Sequence, residues 1–312
     1  MRTSLQAIAA ELKRLKASGV KTLPVSEESV QRLRRAVEAR KGQVPAAPPV
    51  PAAVQSTVSV LREPVAYVFE QKERVFQAKP VAADVAPIPE PKPFSLPAGD
   101  KTARWNALRA VVLEDPVCKA HVRPGKQVVF GVGSMEAKIM FVGEAPGADE
   151  EVQGEPFVGP AGQLLNRMIG GMGLKRSDVY IGNIMNWRPE MPLDARGVQY
   201  GNRPPSEQEM AYCLPYLKAQ IEVVNPDLLV ALGSTAAQGL LGFGTFKALG
   251  EVRGRWREFA GKPLMITYHP SYILRNQSNR SKRMIWEDLL QVMERAGLAI
   301  SEKQRGFFLD RS

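Results

Sequence analysis

The sequence has few cysteines, few histidines and no long apolar run. Two cysteines among 312 residues, Cys118 and Cys213, are too few for a disulfide framework, so we expect a reducing compartment. The first residues lack the apolar stretch and cleavage site of a secretory signal, and no apolar run reaches the roughly eighteen residues of a membrane span. These absences argue against a disulfide-rich secreted scaffold and a membrane-spanning protein, and they predict a soluble cytoplasmic protein.

Positive charge exceeds negative charge. The chain contains 42 Lys and Arg against 32 Asp and Glu, which gives a formal net charge of +10 and a pI near 9.6. This balance suits a polyanionic partner, because each phosphate that Lys or Arg neutralises releases condensed counterions. Charge alone leaves the question open, since many basic proteins never bind nucleic acid.

Composition divides the chain into four parts. Residues 1–41 carry apolar residues at helical spacing, which predicts a helical N-terminal extension, either a protein-docking element or a weakly ordered appendage. Residues 42–100 are rich in Pro and Ala, and because Pro removes backbone donors and favours extended chain, we predict a largely disordered linker. Residues 101–300 form the predicted folded domain, and residues 301–312 form a C-terminal tail.

Short apolar runs alternate with helical stretches in the predicted domain. Strand character is found in the runs at 138–143, 179–183, 227–233 and 253–269, the last with a hairpin-like approach. Nearly continuous apolar strands separated by helices predict an α/β fold, with a parallel sheet covered by helices on both faces. Ligands of such sheets bind beyond the carboxyl ends of the strands.

Three of these strand ends have unusual chemistry. The first leads into the turn at 143–147 (Gly-Glu-Ala-Pro-Gly), whose backbone N–H groups can face a ligand or simply close a β–α turn. The second ends in Asn183, whose amide can bind the edge of a pyrimidine or cap a turn. The fourth reaches His269, which can donate to an oxygen that gains charge or be satisfied in the core. Phe157 follows the first turn and can stack on a base or anchor its loop.

Four sequence segments together indicate a protein family more specifically than any one of them does alone. In chain order they read GEAPGADEEVQGEPFVGPAGQLLN, YIGNIMNWRP, VALGS and YHPSYILRN. They resemble the family 4 (thermostable-type) uracil-DNA glycosylases over about residues 128–296. The resemblance implies a three-layer α/β/α sandwich with a central four-stranded parallel sheet. It also implies a base excision repair enzyme that flips uracil out of DNA and hydrolyses its N-glycosidic bond, with no metal needed for catalysis.

The resemblance assigns roles to individual residues. The predicted catalytic residues are Glu144, Glu150 and His269, and the predicted uracil-binding residues are Gly143, Ala145, Phe157, Asn183 and His269. In this assignment Phe157 stacks on uracil, Asn183 distinguishes it from cytosine, and His269 hydrogen-bonds the carbonyl oxygen that becomes anionic. Glu144 shapes the pocket and water site, and Glu150 matches an acidic position that stabilises water or a cation. Because Ala145 stands where other uracil glycosylases place a water-activating Asp, strong general-base catalysis is not expected.

Residues 271–275 match the loop that enters the duplex where the base has left. The predicted DNA-binding residues are Ser271, Tyr272, Arg275 and Arg255. Arg253, Arg257 and Arg280 were further candidates for holding phosphates. The implied partner is DNA that contains uracil. A monomer is expected, with the N-terminal extension as the candidate site for a repair-protein partner.

The sequence departs from the family at the positions of an iron–sulfur cluster. The family typically holds this cluster with four cysteines, and the corresponding positions here are Cys118, His121, Trp187 and Cys213. Since Trp cannot ligate iron, at most three ligands remain, and we predict that the cluster is lost and that no cofactor is bound. Trp187 would then pack in its place, with Cys213 as a small buried hydrophobe. A three-ligand cluster or an adventitious zinc is the alternative.

Other functions are compatible with the same fold. One is a non-catalytic DNA- or protein-binding module, against which the retention of Glu144, Phe157, Asn183 and His269 argues. Another is a glycosylase for a different deaminated base, against which Asn183 argues. A nucleotide-phosphate enzyme is the most distant alternative, because the Gly-Lys-Ser/Thr ending of a phosphate-binding loop is missing.

Overall fold

The computed structural model describes residues 88–309, so the predicted N-terminal extension and most of the predicted linker lie outside the described residues. Within this range the chain forms six strands and nine helices. The strands are β1 (Val132–Gly133), β2 (Ile139–Gly143), β3 (Tyr180–Asn183), β4 (Leu228–Leu232), β5 (Arg257–Phe259) and β6 (Lys262–Thr267). The helices are α1 (Lys101–Glu114), α2 (Pro116–Ala120), α3 (Glu150–Gln153), α4 (Pro160–Gly171), α5 (Glu207–Val224), α6 (Ser234–Leu241), α7 (Pro270–Arg275), α8 (Asn279–Arg295) and α9 (Glu302–Arg305).

The strands form one sheet in the order β1-β3-β2-β4-β6-β5. The four central strands are parallel, as predicted, and the two edge strands β1 and β5 pair antiparallel with their neighbours. The α/β class and the parallel centre are therefore confirmed, while the sheet has six strands rather than four. Edge strand β1, of two residues, is too short to show an apolar period in the sequence, whereas β5 lies within the hairpin-like approach predicted at 253–269.

Apolar side chains of the central strands point to both faces of the sheet. In β2, Ile139 and Phe141 belong to one core cluster and Met140 and Val142 to the other. Helices α4 and α8 cover the first cluster, and helices α1 and α5 cover the second. Each fully buried apolar side chain contributes about 1.5–3 kcal/mol, so these two cores stabilise the three-layer arrangement.

Helix α5 begins with a capping box. Ser206 is the N-cap, its side chain accepts from the N–H of Glu209, and the Glu209 carboxylate accepts from the N–H of Ser206. Arg203 forms two 2.7 Å hydrogen bonds with the same carboxylate. This box anchors the end of the segment that connects β3 to α5.

Residues that precede and follow the predicted domain (101–300) pack against it. Ile88 is buried, and its carbonyl accepts a 2.7 Å hydrogen bond from Gln208. At the other end Phe307 lies 5.1 Å from the Trp286 ring, measured between ring centroids. Across residues 88–309, no helix combines the length and the apolar character that crossing a membrane requires.

Candidate active site

One cavity, here called the base cavity, opens at the carboxyl ends of the four parallel strands. Its volume is about 460 Å³. It is lined by Glu144, Ala145, Pro146, Gly147, Glu150, Phe157, Ala161, Asn183, Pro189, Asn202, Arg203, Gly233, Ser234, His269, Ser271 and Arg275. The fold thus brings all but one of the predicted catalytic and uracil-binding residues to one cavity wall. The exception, Gly143, lies just beneath it.

Gly143 ends β2 and pairs in register with Asn183 at the end of β3. A Cβ atom on Gly143 would lie 2.3 Å from Oδ1 of Asn183 and 2.5 Å from the Phe157 ring. No side chain fits in that space. Gly143 therefore lets the amide and the ring approach each other across the strand ends.

Asn183 is 6% exposed, and its Oδ1 has no hydrogen-bond partner among the described residues. Leaving a buried amide oxygen unsatisfied costs about 1–3 kcal/mol. Because this side chain lines the base cavity, a ligand with a suitably placed N–H would remove that cost.

Phe157 adopts a left-handed backbone conformation, with φ of 55°. Such a conformation is strained for an aromatic residue and persists only when its surroundings hold it. Arg176 donates to the carbonyls of Phe157 (3.1 Å) and Pro156 (2.6 Å), and a Cβ at Gly162 would lie 1.8 Å from the Phe157 carbonyl oxygen. The ring is thereby held 5.6 Å from the His269 ring, between centroids.

Glu150 holds the loop that carries Phe157. Its carboxylate accepts hydrogen bonds from the backbone N–H groups of Gly147 (3.1 Å), Val158 (3.0 Å) and Gly159 (3.0 Å). These contacts give Glu150 a positioning role, and because Glu150 also lines the base cavity, its role in stabilising a water or cation stays a prediction.

Glu144 lies on the cavity wall and is partly buried. Burial raises the pKa of its carboxyl, and a hydrogen bond from the Thr235 hydroxyl opposes this. The neighbouring Ala145 contributes only a methyl group to the cavity. Glu144 is thus a carboxyl group on the cavity wall with a fixed partner on α6.

His269 follows β6 and caps α7. Its Nδ1 accepts from the backbone N–H of Ser271 at 3.1 Å and lies 2.8 Å from Oγ of the same residue. Burial, and then the charge of Arg275, lower the pKa of His269 to about 4. The ring is therefore neutral at pH 7, and with Nδ1 accepting, the proton resides on Nε2. Gly233, with φ of 97°, permits this placement, since a Cβ there would lie 2.9 Å from Cβ of His269.

The predicted DNA-binding residues are only partly brought together. Ser271 and Arg275 line the base cavity, whereas the Tyr272 ring stacks on Tyr268 at 4.3 Å. Arg255 is exposed and precedes the edge strand β5, and it is not among the residues that line the base cavity. Residues 271–275 form helix α7 rather than the predicted loop, because Pro270 in its first turn and the His269 cap start a helix.

Arg253 is not available for a phosphate. Its guanidinium donates to both carboxylate oxygens of Asp288 at 2.7 and 2.8 Å and to the carbonyl of Met284 at 2.8 Å. It also lies over the Tyr268 ring at 5.3 Å. The prediction that Arg253 holds a phosphate is therefore wrong: a buried acid 35 residues away takes the charge.

A second group, here called the indole site, consists of the four predicted iron–sulfur positions Cys118, His121, Trp187 and Cys213. Cys118 and Cys213 are buried and hydrogen-bonded to each other. This hydrogen bond, and then burial, raise the pKa of the Cys118 thiol. His121 stacks on Trp187 with 5.0 Å between ring centroids, and Trp187 is fully buried.

These residues do not fit a four-ligand cluster. Three of the four predicted positions hold a residue type that can ligate a metal, whereas the Trp187 indole at the remaining position has no metal-binding atom. Within residues 88–309 no group of three or more His, Cys, Asp or Glu side chains is arranged to hold a metal ion.

Sequence reasoning missed the segment that follows β3. Pro189, Asn202 and Arg203 line the base cavity, and the buried Arg188 donates to Asn202 Oδ1 at 2.8 Å and to Glu151 at 2.9 Å. Glu151 is 37 residues away in the chain, so the pair cannot be found from local spacing. The only local signal is the polar, proline-rich composition of residues 188–205.

Comparison with known proteins places the same region in a family. The model of the uracil DNA glycosylase superfamily matches residues 130–290. The type-4 uracil-DNA glycosylase of Thermotoga maritima is 41% identical over 173 residues, which cover 55% of this chain and 84% of that protein. The enzyme of the same name from Saccharolobus solfataricus is 39% identical over 176 residues, covering 54% of this chain and 76% of that protein. All the strands and the base cavity lie in or directly beside the matched region.

Proposed function

The chain belongs to the uracil-DNA glycosylase superfamily, and we propose from this premise that it excises uracil from DNA as a base excision repair enzyme. It hydrolyses the N-glycosidic bond and leaves an abasic site. The observation that carries the proposal is the convergence of three groups in one cavity: the Phe157 ring, the neutral His269 and the amide oxygen of Asn183, which has no partner among the described residues.

Binding begins with extrusion of the base, because the glycosidic bond cannot be reached inside a duplex. The Phe157 ring is held in place to stack on the extruded base, a contact that contributes about 1–3 kcal/mol. The Oδ1 of Asn183 accepts from the N3–H of uracil. Cytosine presents no proton at that nitrogen, so the same contact rejects it and leaves the amide oxygen unsatisfied.

The reaction breaks the bond between the sugar C1′ and the uracil N1. The bonding electrons leave with the base as a uracil anion, and Nε2–H of His269 donates a hydrogen bond to the carbonyl oxygen where that charge collects. The sugar becomes oxocarbenium-like and water adds to C1′, losing a proton that neutralises the base. The Glu144 carboxyl is the group on the cavity wall that holds this water, and Glu150 positions the loop of Phe157.

We propose that the enzyme works without a metal ion or an iron–sulfur cluster. Support comes from the indole site, where the fully buried Trp187 occupies one of the four predicted ligand positions and cannot ligate iron. We further propose a cytoplasmic location, which the low cysteine content favours, a monomeric state, and a repair-protein partner for the predicted N-terminal extension.

The experiment is a uracil-release assay on the purified protein. An end-labelled oligonucleotide with one uracil is incubated and treated with alkali, which cuts at abasic sites, and a thymine oligonucleotide is the control. We expect cleavage at uracil only. His269→Ala should lower the rate constant about 10²–10³-fold, as the loss of one donor to a developing anion does. Asn183→Ala should lose both rate and the preference over cytosine.

The alternatives predict different outcomes. A folded protein that fails on single-stranded, U:G and U:A substrates would leave the non-catalytic binding module as the better function. Cleavage at a deaminated purine but not at uracil would show a different base specificity and contradict the assignment of Asn183.

A further inference from the structure

The segment from Pro189 to Asn202, here called the mouth loop, projects at the edge of the base cavity. Its two ends, Pro189 and Asn202, line the cavity, and Leu193 and Gln199 form an antiparallel bridge between them. β3 and β6 are the outer two of the four parallel strands. Strands lie about 4.8 Å apart, so the mouth loop after β3 and helix α7 after β6 border the cavity from two sides.

The mouth loop is held in one conformation by its own hydrogen bonds. Gln199 is buried, accepts from the N–H of Met191 at 3.1 Å and donates to the carbonyl of Pro189 at 3.0 Å. Asp194 accepts from the N–H groups of Arg196 and Val198, both at 2.9 Å. Side chains on this loop are therefore presented in fixed positions, at little cost in ordering on binding.

The same loop exposes apolar side chains. Tyr200 is 59% exposed, Leu193 50% and Val198 43%. The Arg196 guanidinium lies over the Tyr200 ring, 6.0 Å from its centroid, and hydrogen-bonds its hydroxyl. Arg196 thus contacts one face of the Tyr200 ring. The exposed part of the ring is available to stack on a second planar group, such as a base. A held aromatic ring beside a cation is the pairing that proteins use for an unpaired base and its phosphate.

We propose that the mouth loop is a second DNA-contacting element, in which Tyr200 stacks on an unpaired base next to the extruded one. The proposal rests on the proposed function, because a strand that delivers a base to the cavity must cross its mouth. Tyr200 is two residues from Asn202, so its Cα lies within about 7 Å of a cavity-lining residue. The partner is single-stranded or locally opened DNA, since a paired base within the duplex has no free face.

The test compares Tyr200→Ala with Tyr200→Phe, which keeps the ring. Affinity is measured for single-stranded and duplex uracil oligonucleotides at one fixed salt concentration, because affinity for DNA depends strongly on salt. Fluorescent 2-aminopurine, which is quenched by stacking, is placed in turn on each side of the uracil. Phe243→Ala is the matched control, an exposed aromatic beyond the far end of α6, whose first residue lines the cavity.

We expect Tyr200→Ala to bind the single strand about fivefold more weakly or worse, the lower end of the range for a base–aromatic stack. One 2-aminopurine position should regain its fluorescence in this variant. Tyr200→Phe and Phe243→Ala should behave as the unchanged protein does, and duplex binding should change less than single-strand binding.

Neither readout requires catalysis, so the result is separate from that of the uracil-release assay. Equal affinities and equal fluorescence for Tyr200→Ala and the unchanged protein would overturn the mouth-loop proposal even if uracil is released. A loss of affinity shared by the Phe243→Ala control would overturn it as well. Failure to release uracil, with the Tyr200 effects present, would overturn the proposed function and leave the DNA-contacting role of the loop.

Discussion

The base cavity and the indole site each gather predicted residues from distant parts of the chain, and they differ in what surrounds their buried polar atoms. Oδ1 of Asn183 and Nε1 of Trp187 are both buried and have no hydrogen-bond partner within residues 88–309. The first side chain lines a cavity of about 460 Å³, whereas the second lies in the apolar core between His121 and Tyr212. An unsatisfied group that faces a cavity points to a ligand, and one in packed core is a cost of the packing.

The base cavity and the indole site are also held together by different interactions. The base cavity is held by hydrogen bonds and close backbone approaches, as at Glu150 and Gly143. The indole site is held by aromatic stacking and burial of Trp187, with the two cysteines beside it. We therefore expect changes in the indole site to act on stability and changes in the cavity to act on catalysis.

The largest expected effect is that of Trp187→Ala. Removing a fully buried indole should lower the free energy of unfolding by about 3–5 kcal/mol, because the site cannot close over the space. Urea denaturation measures this, and the uracil-release rate per folded molecule should stay unchanged. Trp187→Phe should recover most of the stability. A folded Trp187→Ala protein without activity would show that the two regions are not separate.

The second effect is the pH dependence that His269 contributes. Its pKa is about 4 in the folded protein and 6.5 in the unfolded chain, so between these values only the unfolded chain binds the proton. Stability from this group therefore falls as pH decreases from 6.5 to 4, by about 3 kcal/mol in all. Burial raises the pKa of Asp288 from 3.8 to about 6, so the folded protein holds this proton more tightly than the unfolded chain does. The stability that Asp288 contributes therefore falls as the pH rises from 3.8 to 6, opposite to the effect of His269.

The measurement compares the unchanged protein with His269→Asn, since Asp288 is common to both. The difference in their free energies of unfolding should be larger at pH 7 than at pH 4.5. A difference that does not vary with pH would contradict a buried neutral histidine.

A smaller effect is expected for Phe157→Leu. Loss of the ring removes stacking on the base, worth about 1–3 kcal/mol, and should lower kcat/KM about 5- to 150-fold. The matched control is Phe141→Leu in β2, which is buried in the sheet core away from the cavity. It should lose stability with little change in kcat/KM. Equal kcat/KM values for the two variants would argue against stacking.

The smallest effect is expected for Cys118→Ala. A protonated buried thiol behaves as a small apolar group, so the free energy of unfolding should change by less than about 1.5 kcal/mol. Iron and acid-labile sulfide should be absent from both proteins. Iron in the unchanged protein that disappears in Cys118→Ala would show that the indole site holds a cluster after all.

Sequence reasoning was accurate where local pattern decides structure. The apolar runs predicted the four parallel strands. Because Asn183 and His269 stand at the carboxyl ends of two of these strands, they were expected at the same edge of the sheet. It failed where partners are remote or elements are short. The Arg253–Asp288 pair, the edge strand β1 and the mouth loop carry no periodic signal, whereas β5 lies in the predicted hairpin-like approach to β6. Glu150 was recognised as important, but its three backbone contacts appear only once the loops are folded.

The sequence by itself determined the parallel α/β arrangement and the residue types at the strand ends, because apolar periodicity and tight turns are local properties. Tertiary structure decided what those residues do. It made His269 neutral by burying it, left Oδ1 of Asn183 without a partner among residues 88–309 and stacked His121 on Trp187. Burial, charge pairing and stacking depend on groups far apart in the chain, and only folding brings such groups into contact.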